Sequence, residues 1–274
     1  MRKFTFRMAA LLIGCFLTSV LLLPALRHKS GLTHADKSVD YWERQALINL
    51  AQGNYTVIET TILPAVTKLG PETVPFWVER MQTKDSRLAR LYSRFCSSLP
   101  SGLRALLPNP IPQRIRRNVA YSILSKLHVT NGTPELVNLT YSKDAELQYY
   151  AVDVLWWRAY RGLEPSRECI AAFCAALKTG DTRTRRSAIQ GLNTLPVWPE
   201  ALPALQLALA DPEEEIRVKA AVAILKLKPD SNLKHIFQNG LISSNQNARV
   251  ISAVELANLQ RRQEANASEP AAKP

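Results

Sequence analysis

The side chains best suited to acid–base or metal chemistry in this 274-residue chain are few and scattered. Its four histidines, His28, His34, His128 and His235, include no two at i, i+3 or i+4, and none stands at that spacing from a cysteine. No helical face therefore presents two such ligands to one ion, and a zinc or iron site is not expected. Cys169 and Cys174 are five residues apart, roughly 140° around a helix, so they are poorly placed to pair. Together with Cys96 they fall at apolar positions and read as small buried side chains. The run Glu213-Glu214-Glu215 is a carboxylate cluster, but its place at the start of a helical segment assigns it to the positive end of the helix dipole. Nucleophile-elbow, phosphate-loop and dinucleotide-loop motifs are all missing from the sequence. No catalytic residue, cofactor or metal is expected, and the chain reads as a non-enzyme.

Charge is the more informative chemistry. The formal net charge is +12. Arg2, Lys3, Arg7, Arg27 and Lys29 flank an N-terminal apolar run, which leaves the remaining body with an excess of seven. Such a body favours acidic partners without naming one. Basic groups recur at Arg114, Arg116 and Arg117, at Arg183, Arg185 and Arg186, and at Arg217 and Lys219, each near a helix start. On stacked helices they would form a ridge.

The apolar run itself is a membrane signal. Met8 to Leu26 is nineteen almost uninterrupted apolar positions, about 28 Å of helix and close to the thickness of a bilayer core. Its length, and the lack of a small-x-small site after it, favour a retained anchor over a cleaved signal. The tighter positive cluster precedes it, which places the body on the exported side. Leu12-Ile13-Gly14-Cys15 has the form of a lipoprotein cleavage box and makes Cys15 a lipidation candidate, although the residues after it stay apolar.

Beyond residue 40 the elements that must position everything else are helices. Apolar residues recur at i, i+3, i+4, i+7 in one segment after another. Examples are Val74, Trp77, Val78 and Met81; Leu88, Leu91, Tyr92 and Phe95; and Ile216, Ala220, Ala223 and Ile224. Seventeen prolines against ten glycines suit rigid corners, because proline in a first helical turn gives up only an N–H that would be unpaired anyway. Asp85, Asp144, Asp181 and Asp211 precede helices, where a carboxylate caps free amides.

Self-comparison supplies the organisation. Aligning residues 211–225, 180–192, 142–155 and 245–256 brings Arg217, Arg185, Gln148 and Arg249 into register, and Arg117 extends the series upstream. Successive separations of 31, 37, 32 and 32 residues fit one helix pair per repeat.

An aspartate followed by an apolar residue, an arginine, alanines and a leucine resembles the second helix of HEAT repeats. DPEEEIRVKAAVAILKL at 211–227 carries the resemblance best and GDTRTRRSAIQGLNTL at 180–195 next. The likeness extends over residues 44–262 and is similar in particular to membrane-anchored bacterial HEAT-repeat proteins. It implies an all-α, right-handed α-α superhelix of the HEAT/ARM type, about five to six helix pairs long, preceded by one N-terminal hydrophobic helix. In that family, aspartate and arginine link neighbouring repeats in a ladder, which here falls to Asp181, Arg185, Asp211, Arg217 and Arg249. HEAT-type hydroxylases carry repeated His-Glu pairs, and none occurs here.

Two features depart from the pattern: Gln148 replaces the arginine, and 97–112 inserts four prolines between two helices. The expected layout is an anchor over 1–29, a linker over 30–43, a solenoid over 44–262 containing the 97–112 insertion, and a disordered tail over 263–274. Adjacent aromatics, Tyr149-Tyr150 and Trp156-Trp157, must split, one of each pair pointing away from the core stripe. The functional expectation is a scaffold for a protein partner, acidic in character, at a bacterial inner membrane, single-pass with the body outside the cytoplasm. A basic nucleic-acid-binding or DNA-glycosylase-like protein is the alternative, and a lyase or maturation factor for a cofactor-bearing partner is a second.

Overall fold

The structure, a computed structural model, describes residues 33–34, 37–104, 107, 110–127, 133–163, 166–196 and 198–268. The apolar run at 8–26 and Cys15 lie outside the described residues. Among the described residues no helix is long and apolar enough to cross a membrane.

A two-residue antiparallel ladder, β1 (Thr33–His34) with β2 (Lys37–Ser38), leads into a fold made otherwise of helices. They are α1 (Val39–Ala51), then α2, built from Tyr55–Val57, the π-helical Ile58–Ile62 and Leu63–Leu69, and then α3 (Val74–Gln82). Next come α4 (Arg87–Ser98), a single turn Ser101–Arg104, and α5 (Gln113–Lys126). The remainder is regular: α6 (Thr133–Leu139), α7 (Ala145–Tyr160), α8 (Arg167–Thr179), α9 (Thr182–Thr194), α10 (Leu202–Ala208), α11 (Glu214–Leu227), α12 (Lys234–Leu241) and α13 (Gln246–Ser268).

Five pairs result: α3 with α5, α6 with α7, α8 with α9, α10 with α11, and α12 with α13. Second helices stack in the order α5, α7, α9, α11, α13, with α1 continuing that layer beyond α5. First helices α3, α6, α8 and α10 form the other layer. One apolar core runs between the layers from Val39 to Ala248, with Trp77, Phe173 and Phe237 fully buried in it. Burying each of those rings contributes about 2–3 kcal/mol.

Local chemistry sets the helix ends. Asp144 accepts from Leu147 N and Asp181 from Thr184 N, the caps expected from the sequence. Pro134 lies at the start of α6, and Pro71 and Pro199 open short 3-10 turns before α3 and α10. Gly162, at φ +77°, closes α7: with a left-handed residue there, Leu163 N–H reaches back to Arg158 O at 3.2 Å.

Two expectations are corrected. Leu88, Leu91 and Phe95 were assigned to the core stripe of the array, yet all three are exposed, because α4 lies between the partners α3 and α5 and joins neither layer. The departure from regular stacking therefore includes α4 and does not begin at residue 97. Asp85 does not cap α4, a role taken by Ser86; its Oδ2 instead accepts from Gln113 N at 3.2 Å and ties the base of the insert to the start of α5. α13 continues to Ser268.

Candidate functional site

The surface that the fold assembles most deliberately is the second-helix layer over α5, α7 and α9. Its centre is Asp153, buried in the middle of α7. Tyr121 Oη of α5 and Ser187 Oγ of α9 each donate to this carboxylate at 2.6 Å, so one side chain links three consecutive repeats. Burial and the hydrogen bond to Asp153 push the Tyr121 phenol well above its usual range, so it stays a donor.

Aromatic rings spread outward from that point. Tyr150 stacks on Tyr121 with centroids 5.0 Å apart, and its hydroxyl donates to Asn118. Tyr149 lies under the Arg183 guanidinium of the next repeat at 4.9 Å. Trp156 packs on the core while Trp157 turns away from it. Tyr160, 64% exposed, meets Trp157 edge-on at 5.8 Å. Arg161 covers the other side of Trp157 at 5.7 Å and donates to Ser125 O at 2.5 Å. The adjacent aromatics thus split as their spacing requires, and the outward members mostly cover neighbouring repeats. The Trp157–Tyr160 end remains open for a further contact.

The ladder is present in part. Arg185 Nε and Nη2 bind Asp211 Oδ2 and Oδ1 at 2.7 and 3.1 Å, a two-bond fork between repeats. Arg217 and Arg249 occupy the same register without reaching across. Arg217 donates to Asp211 O at 2.6 Å and pairs with Glu214 of its own helix at 3.2 Å, while Arg249 donates to Ser243 O at 2.6 Å. Residue 243, where the next aspartate belongs, is a serine. Asp181 is left with its capping role and a distant Arg183, at 3.8 Å, because Gln148 turns back to Thr140 O.

A second full rung was not assigned from the sequence. Arg117, 2% exposed, binds Asp144 at 2.7 Å and Glu146 at 3.0 Å. The signal was available: Arg117 precedes Asp144 by 27 residues, as Arg185 precedes Asp211 by 26. The Arg117 guanidinium holds the Asp144 carboxyl below its ordinary value. Arg158, also buried, donates to Thr133 Oγ1 at 3.3 Å, and burial pushes its pKa down to about 10.

The basic ridge expected from the sequence is largely neutralised. Arg186 meets Glu213 at 2.8 Å and Lys219 meets Glu215 at 2.6 Å, in addition to the pairs of Arg117, Arg185 and Arg217. A dent between α9, α10 and α11, lined by Leu192, Trp198, Leu205 and Leu227, has room for about one water. Among the described residues no three His, Cys, Asp or Glu side chains are grouped to hold a metal.

Two layers of stacked helix pairs, joined by carboxylate–arginine rungs, define an α-solenoid. Residues 133–226, the three pairs from α6 to α11, match the family described as HEAT repeats. No curated protein matches the chain significantly. Helix arrays of this kind serve as extended surfaces for protein interaction.

Proposed function

We propose that the chain is a non-catalytic scaffold, held at a bacterial inner membrane by residues 8–26, that grips a protein partner on its second-helix layer. The observation that carries the reading is the Trp157–Tyr160 edge. Two large rings, held by Arg161 and backed by the Asp153 network, stand partly open on the second-helix layer. Rigid amphipathic rings in such a position are the usual anchors of protein interfaces.

A nucleic-acid reading of the second-helix ridge loses support from the same geometry. A phosphate-tracking face needs unpaired Lys and Arg, whereas Arg117, Arg185, Arg186, Arg217 and Lys219 all have carboxylate partners.

The test places a photo-cross-linking amino acid at Tyr160 and, as control, at Leu207, which is equally exposed on the first-helix layer. A discrete adduct from position 160 and none from 207 supports the reading. Equal labelling from both, or none, removes it. Membrane fractionation with protease accessibility tests the tether separately, and a protease-shielded or freely soluble body would contradict an exported, anchored one.

A further inference from the structure

The α4 insert carries chemistry that a scaffold does not require. Leu88, Leu91 and Phe95 recur at i, i+3 and i+7 and are 56%, 58% and 44% exposed. Arg87, Arg90 and Arg94 repeat the same spacing one residue earlier, so an exposed arginine ridge runs directly beside an exposed apolar strip. The helix is closed at its C-terminal end within the insert. Its opposite side buries Tyr92 and Cys96, and Arg104 clamps its end by donating to the carbonyls of Cys96, Ser97 and Leu99 at 3.0–3.1 Å.

Charge is concentrated here to an unusual degree. Residues 84–117 hold eight Lys or Arg and one acidic residue, a net +7 equal to the whole excess of the body after residue 29. No Asp or Glu occurs between Ser86 and Pro134. Among the described residues, Arg87, Arg90 and Arg94 form no ion pair, in contrast to the paired arginines of the second-helix layer.

We infer that α4 is an interfacial helix that lies on an anionic lipid surface, with Leu88, Leu91 and Phe95 at the level of the acyl chains and the three arginines among the headgroups. Charge complementarity selects an anionic surface, and size selects lipid over protein. A helix of 12 residues is about 18 Å long and offers on the order of 200 Å², against roughly 800 Å² per partner in a stable protein interface. Lipid needs no such area, because aliphatic stems and apolar rings enter a fluid interface while guanidinium groups stay hydrated. The inference does not depend on residues 8–26 spanning a bilayer.

The experiment uses the full chain with vesicles of phosphatidylcholine alone or of phosphatidylcholine containing phosphatidylglycerol, and reads amide hydrogen exchange in the 87–98 peptide. Protection is expected with the anionic vesicles only, and it should fade at high salt. Each arginine near an anionic surface contributes about fivefold in affinity, so Arg87→Gln/Arg90→Gln/Arg94→Gln should weaken the protection by roughly two orders of magnitude with an unchanged melting temperature. Equal protection on both vesicle types, protection that survives the triple substitution, or protection that grows with protein concentration in the absence of vesicles would each overturn the inference, the last by making a second copy the occupant. Co-flotation with phosphatidylcholine alone reports residues 8–26, so failure of the tether and failure of α4 are read separately.

Discussion

Arg185 and Asp211 are joined by two hydrogen bonds, at 2.7 and 3.1 Å, across the boundary between α9 and the turn before α11. Asp211 also accepts from Glu213 N at 2.9 Å, so the one carboxylate both shapes its own turn and receives the neighbouring repeat. Its replacement by alanine should cost about 3 kcal/mol, since it strands a largely buried guanidinium and frees a turn amide. Arg185→Lys should cost roughly half that, because a single ammonium does not reproduce the fork. Urea midpoints of the two variants measure both, and a cost for Asp211→Ala within a few tenths of a kcal/mol of zero would show the rung to be ornamental.

The two gaps in the ladder should respond oppositely to repair. Gln148→Arg supplies the missing partner of Asp181, whose carboxylate is partly exposed, and should stabilise by about 0.5–1 kcal/mol. Ser243→Asp supplies a partner for Arg217, but Ser243 now donates to Glu214, and a second carboxylate there meets like charge. That variant should be neutral or destabilised. Thermal melts of the pair distinguish this from a simple consensus effect, in which both would gain.

Alkaline pH should loosen the middle of the array. Burial, followed by the nearby Glu146 carboxylate, pushes the Tyr150 phenol up to about 12. A group whose pKa is raised on folding contributes its stability in full below its unfolded value, near 10, and loses it as pH rises toward the folded value. Stability should therefore decline between about pH 10 and 12, with Tyr150 contributing a slope of roughly 1.4 kcal/mol per pH unit. Urea titrations across that range should show Tyr150→Phe with a correspondingly flatter decline; an unchanged slope would contradict it.

Gly191 of α9 packs directly against Phe173 of α8. A methyl group added there would stand 2.6 Å from the Phe173 ring, which is itself fully buried. Gly191→Ala should therefore destabilise by about 1–3 kcal/mol despite its better helix propensity. Shrinking the ring with Phe173→Leu in the same chain should recover part of that loss, and purely additive costs would argue against the clash.

How much of this was legible beforehand differs between particular residues. Period-3.6 apolar spacing and the capping carboxylates Asp144 and Asp181 predict helices correctly, because those signals act within a turn or two of chain. The recurrence of Arg117, Arg185, Arg217 and Arg249 predicts stacked pairs, and five are found. The same register also nominated Arg217 and Arg249 for the ladder, where they do not reach across. A rung needs its acceptor in the following repeat, and position 243 holds serine.

By itself the sequence determined the helices, their repeat length and the likeness of residues 133–226 to HEAT repeats. The tertiary structure decided which apolar stripe finds a partner. The Leu88, Leu91 and Phe95 stripe of α4 has the same helical periodicity as that of α3, yet α3 closes on α5 across the intervening insert and leaves α4 outside. Tyr121, Asp153 and Ser187 likewise lie more than thirty residues apart in sequence and meet only when three repeats stack. The physical reason is the same in both cases: helix formation is settled by neighbours along the chain, whereas burial and hydrogen bonding between repeats depend on which surfaces the stacked layers bring into contact.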